Sequence, residues 1–175
     1  MEYCVKRIFV DTSTLSATNE NFGKIFPIIK KRVEDRCCAV CCENGADADF
    51  VLRFMLDETV PAEGFRLSDE DGALVVRGAD FLALMYGAGQ FLHKSRYTAE
   101  GVIPTTWRGQ SVPQTQNRMI FFAQHFFNWY QCCSVEEIRE HIEDLVLWGI
   151  LFVILIRELF FRLTMETFSN VILLV

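Results

Sequence analysis

With 175 residues, 51% of them hydrophobic and 16 of them phenylalanine, the chain has the length and apolar content to bury one good core, which excludes a disordered protein. Its net charge of −6, with no local basic stripe, excludes the electrostatic footprint of nucleic-acid binding. Seven cysteines, six of them in adjacent pairs, exclude an ordinary disulfide framework.

Reduced thiols and the absence of a signal-like start (Met1-Glu2-Tyr3-Cys4-Val5-Lys6-Arg7 runs directly into a strand) lead to the expectation of a cytoplasmic chain as written. A start upstream of Met1 would allow an exported parent protein. Lys6 to Val10 reads as a short strand. Phe22, Ile25, Phe26, Ile29 and Val33 then form the apolar stripe of an amphipathic helix, with Lys30, Lys31, Arg32, Glu34, Asp35 and Arg36 on its solvated side. Pro27 either kinks this helix, or the regular part begins near it and Phe22 packs from a lead-in turn.

Cys37, Cys38, Cys41 and Cys42 follow, and Cys38 and Cys41 make a C-x-x-C. A zinc shell usually draws on two separated ligand pairs, and no second pair stands at the right spacing. The expectation is that these cysteines are small apolar fillers between a helix end and a strand start. The rival is a metal or redox site.

Asp49 to Leu56 reads as a strand with Phe50, Leu52, Phe54 and Leu56 on one face. Next comes a hairpin: strand Gly64 to Leu67, acidic turn Ser68 to Gly72, and strand Ala73 to Arg77. The turn lacks the alternating carboxylates and distal Glu of a calcium loop. Asp80 is placed to cap a helix from Phe81 to about Lys94, whose Gly87 and Gly89 are explained by close approach to the sheet. The first hundred residues thus read β-α-β-β-β-α, an α+β domain with both helices on one face.

Tyr97 to Pro113, with Gly101, Pro104, Gly109 and Pro113, reads as an irregular connector. Arg118 to Ala123 is an apolar strand. Ser134 and Glu137 have the spacing of a capping box, opening a helix that turns Val135, Ile138, Ile142, Leu145 and Val146 inward and ends at Gly149. Ile150 to Ile156 is an unbroken apolar run, the pattern of a buried strand, so this part reads as a parallel βαβ unit. The apolar stretch Leu145 to Ile156 is shorter than the ~20 residues a spanning helix needs. No membrane association and no cofactor are expected.

In order and spacing, several segments resemble the front end of a group of glycoside hydrolases. They are Glu63-Gly64-Phe65-Arg66-Leu67, Ala73 to Gly78, Met85-Tyr86-Gly87-Ala88-Gly89-Gln90-Phe91-Leu92, the Pro- and Trp-containing connector, Asn117-Arg118, and Glu137 to Ile150. In β-hexosaminidases, α-N-acetylglucosaminidases and α-glucuronidases a small α+β domain precedes a (β/α) barrel. The resemblance covers residues 50 to 150. It implies a non-catalytic domain over residues 1–104, a connector over 105–117, and the start of a barrel over 118–175 with an atypical apolar tail from Leu151. It also implies carbohydrate as the parent enzyme's partner. Barrel active sites open at the carboxyl ends of the strands. Arg118 is carried over as the first-strand arginine that holds sugar hydroxyls, while His125 and Asn128 could hydrogen-bond a sugar and Trp129 or Tyr130 stack on one. The alternative for each is structural: Arg118 paired internally, the aromatics in the core, and His125 as a structural histidine. No catalytic residue is assigned, because the acidic residues of such enzymes lie further along a barrel than this chain reaches. The expectation is a fragment without activity of its own; the rivals are a stand-alone interaction or oligomerisation module that self-associates through an open barrel edge, and the cysteine-cluster protein.

Overall fold

The computed structural model describes residues 3–15, 20–122, 132–150, 152–155 and 159–162, and divides into two compact units, Met1–Pro113 and Gln114–Val175. The first is built on a six-stranded mixed sheet. In chain order its strands are β1 (Arg7–Asp11), β2 (Val40–Cys42), β3 (Phe50–Leu56), β4 (Phe65–Glu70), β5 (Ala73–Gly78) and β8 (Gly109–Ser111). Across the sheet they lie β2-β1-β3-β5-β4-β8. β1 is parallel to both β2 and β3, and β3 to β5; β4 runs antiparallel to β5 and β8. Both edges are strands of only three residues, a common way of blunting a sheet against strand addition.

Helix α1 (Ile25–Glu34) carries the chain from β1 to β2. A 3-10 turn, Phe22–Lys24, precedes it, so Phe22 packs from the lead-in turn, its ring 6.3 Å from that of Phe81. Pro27 sits in the first turn of α1, where a missing N–H costs nothing. The helix is rotated from the stripe expected of it. Ile28 and Arg32 are buried with Ile25, Ile29 and Val33, while Phe26 is only half-buried. The charge on Arg32 placed it on the solvated side, yet the residue is only 6% exposed.

Helix α2 (Phe81–Lys94) is the centre of the unit, with Asp80 accepting from the Ala83 N–H at 2.8 Å as its N-cap. Eleven of its fourteen residues are buried, from Phe81 through Gly89 and again at Phe91 and Leu92. Gly87 is the point of closest approach to the sheet. A Cβ there would collide with Val76 Cγ1 and press on Phe65 Cβ at 3.4 Å. Val76 and Phe65 share the sheet face that also carries Leu52, Phe54, Leu67 and Leu74, all nearly inaccessible.

The hairpin between β4 and β5 is tighter than the polar composition of Ser68 to Gly72 suggests. The ladder runs to Glu70 opposite Ala73, leaving Asp71 (φ 49°) and Gly72 (φ 76°) as a two-residue turn of the left-handed kind hairpins favour. The connector region is also more regular than expected. β6 (Arg96–Thr98) and β7 (Gly101–Ile103) form a two-stranded ribbon, and β8 completes the large sheet. Val5 bridges to Val102 through reciprocal backbone bonds of 2.7 and 2.9 Å, and Gly101 (φ 150°) leaves room for the Val5 carbonyl.

In the second unit β9 (Met119–Phe122) and β10 (Phe152–Leu155) are parallel, with Met119 opposite Phe152, and helix α3 (Val135–Leu147) lies between them in sequence. The capping box at Ser134 and Glu137 is formed in both directions. α3 buries only Leu145, Val146 and Leu147; Val135, expected inside, is exposed. β11 (Leu159–Arg162) pairs antiparallel with β10, where a (β/α) barrel would continue with another helix and a parallel strand. Among the described residues no helix is long and apolar enough to cross a membrane.

Candidate functional site

The parallel pair β9 and β10 gives the second unit two distinct ends. At the carboxyl ends of the strands the chain leaves β9 after Phe122. His125, Asn128, Trp129 and Tyr130, all expected at that rim, lie outside the described residues.

Arg118 stands at the other end, immediately before Met119. Its Nε donates to the Gly149 carbonyl at 2.7 Å and a terminal nitrogen donates to the Thr115 carbonyl at 2.8 Å. Gly149 has φ 80° and follows the C-cap of α3. The guanidinium therefore joins the start of β9 to the turn that leads into β10. Both of these bonds are internal to the second unit.

The cysteines do not converge. β2 places Cys41 and Cys42 on opposite faces, as successive strand residues must be. Cys41 is buried, and its N–H donates to Glu34 at 3.0 Å. Burial, reinforced by the Glu34 carboxylate, pushes the Cys41 thiol up to about 12, away from the thiolate that metal binding or redox exchange requires. The Cys42 thiol turns to the Ile8 carbonyl and that of Cys37 to Val33, both at 3.5 Å, while Cys38 is exposed. Among the described residues no three His, Cys, Asp or Glu side chains are grouped to hold a metal ion.

The conspicuous carboxylates are engaged elsewhere. Glu136 pairs with Arg139 at 2.6 Å, and Glu137 caps its own helix. On β4, Glu70 accepts two bonds from Arg77 across the hairpin, at 2.5 and 3.2 Å, and a third from Ser68. The Arg77 bonds come first in holding its carboxyl down, at about 2. Asp69 accepts from Nε and one terminal nitrogen of Arg108. Asp11 is nearly buried; burial works to raise its pKa, but hydrogen bonds from Ser13 and Arg53 outweigh that and lower it. These four Arg–carboxylate pairs escaped the sequence reading. One signal was available for Glu70: Ser68, Glu70 and Arg77 fall on one sheet face once the ladder is extended to a two-residue turn.

The fold defined here, a mixed sheet carrying two helices and followed by a parallel βαβ, is related to that of glycoside hydrolase structures of families GH20 and GH115. The chain resembles a β-N-acetylhexosaminidase from Bacteroides fragilis over 86% of its own length and 28% of that chain, with 15% identity and a TM-score of 0.56. It resembles a GH20 β-N-acetylhexosaminidase from Streptomyces coelicolor over 85% of its length and 29% of that chain (15% identity, TM-score 0.55). A family GH115 4-O-methyl-α-glucuronidase with specificity for decorated arabinogalactans matches over 86% of this chain and 25% of its own (13% identity, TM-score 0.58). The chain thus spans between a quarter and a third of these structures. No protein-family model and no curated protein sequence matches it.

Proposed function

We propose that this chain is the non-catalytic amino-terminal part of a carbohydrate-active glycoside hydrolase. In this reading the first unit corresponds to the α+β domain, domain 2 of the hexosaminidases, and the second to the opening βαβ of a barrel. The observation that supports it most is the succession of the two units in one chain, matched together over 85 to 87% of its length by GH20 and GH115 structures. The parent enzyme would act on a glycoside such as an N-acetylhexosaminide or a glucuronide. His125, Asn128, Trp129 and Tyr130 are the residues we assign to sugar contact in that parent. Arg118 is assigned a supporting role, since it stands at the amino end of β9 and barrel sites open at the carboxyl ends. The DNA following the Val175 codon tests the proposal. A frame encoding further β/α repeats with paired carboxylates would support it, and coding sequence for an unrelated domain would contradict it.

The antiparallel β11 favours a second reading, in which the second unit is an interaction module that self-associates through its strand edges. Concentration-dependent sedimentation of the purified chain separates the two readings.

A further inference from the structure

From Thr105 onward, the stretch that leads to the second unit is tied to the first unit at two points of opposite character. The upstream anchor is inside: Ser95 and Thr105 are each only 7% exposed. Ser95 Oγ donates to the Phe91 carbonyl at 2.7 Å and accepts from the Thr105 N–H at 3.1 Å, fixing Thr105 to the end of α2. Beyond Thr105 the attachment moves to the surface. Gly109, Gln110 and Ser111 pair with Leu67, Arg66 and Phe65, and all three are exposed. Trp107 is half-buried, its ring tilted against Phe65 at 6.1 Å.

Arg108 gathers this stretch. Nε and one terminal nitrogen hold both oxygens of Asp69 at 2.8 and 2.7 Å. The other terminal nitrogen donates to the carbonyls of Thr105 and Trp107, both at 2.8 Å. One side chain thus fastens the connector to itself and to β4. The Asp69 side chain is 68% exposed, so the pair is open to screening by salt.

We propose that residues 106–111 form a releasable strap, latched by the Arg108–Asp69 pair, that detaches from β4 while the rest of the sheet stays folded. Opening breaks three residue pairs, one ion pair and one ring contact and uncovers no buried aliphatic side chain of the strap; local openings of low free energy come from such segments. Opening β5 would instead uncover Leu74, Val75 and Val76, all at most 1% exposed. Release stops at the buried Ser95–Thr105 anchor. The six freed residues extend to about 20 Å, which lengthens the tether to the second unit by up to that amount.

Hydrogen exchange followed by mass spectrometry on the full chain tests this, using the native protein, Arg108→Ala and Asp69→Asn. In the native protein, residues 106–111 and the edge of β4 that faces them exchange together and faster than residues 73–78. Arg108→Ala speeds both by about tenfold and leaves β5 and α2 unchanged, with Asp69→Asn in between. Raising the salt from about 0.05 to 1 M speeds exchange in the native strap but not in Arg108→Ala. Unchanged strap exchange in Arg108→Ala would overturn the latch. Equal acceleration in β5 and α2 would overturn independent release.

Discussion

Helices α2 and α3 start alike and are held differently. Each opens on a side-chain cap, Asp80 accepting from Ala83 in one and Ser134 exchanging bonds with Glu137 in the other. After the first turn they diverge. α2 is buried on nearly every side and so close to the sheet that only glycine fits at position 87, whereas α3 buries three residues of its last turn. A cap sets where a helix begins; the surface it removes from water decides how much depends on it. On this account substitutions along α2 act on the whole first unit, and those along α3 act locally.

The largest expected effect is at the closest contact. Gly87→Leu improves helix propensity yet should destabilise the first unit by about 3 kcal/mol or more, because the side chain meets Val76 and Phe65. An unchanged melting temperature would mean that α2 is not seated on the sheet as described. Next in size is a matched pair of truncations. Leu84→Ala, at a fully buried position, should cost about 3 kcal/mol in chemical denaturation. Ile142→Ala, at a half-buried one, should cost less than about 1 kcal/mol, and equal costs would erase the contrast between the helices. Cys41→Ala removes a buried thiol and should cost about 1 kcal/mol, while Cys38→Ala at an exposed site should be close to silent. Stoichiometric metal in the native protein, lost from the double variant, would replace the packing account of these cysteines.

The smallest effect is confined to acid. Glu70 is held at about 2 in the folded protein against an ordinary 4.5, and Asp11 is also lowered. Such groups contribute their full stability above the ordinary carboxylate range and lose it as pH falls toward the folded value. Stability should therefore be flat near neutrality and fall between about pH 4.5 and 2, less steeply in Glu70→Gln. A fall beginning at neutral pH would require another titrating group.

α2 could be read from sequence because several local signals agreed: a cap at Asp80, helical spacing from Phe81 to Leu92, and two glycines without another use. The capping box of α3 was equally explicit. β6, β7 and β8 were not, since three-residue strands are too short to show alternation and here are set among Gly and Pro. Ser68 to Glu70 read as turn because polar residues dominate turns, yet they continue β4, where Glu70 meets Arg77 across the hairpin. Arg32 misled by its charge. Of the candidate site, Arg118 alone falls among the described residues. Nothing local to Arg118 tells whether it precedes or caps its strand, and the Gly149 carbonyl it binds lies 31 residues away.

The central proposal is that this chain is the non-catalytic part of a glycoside hydrolase. The direct test is hydrolysis by the purified full chain of aryl N-acetylhexosaminides, glucuronides and hexosides, with His125→Ala and Asn128→Ala as controls. A catalytic pair needs two carboxyl groups about 5 to 10 Å apart across the scissile bond; Glu70, Glu136 and Glu137 are instead engaged by Arg77, Arg139 and the α3 cap. The account predicts no turnover above a buffer blank with any of the three substrate classes. Turnover that co-purifies with the native chain and disappears in Asn128→Ala would contradict it, since that would require a working site in the segment after β9.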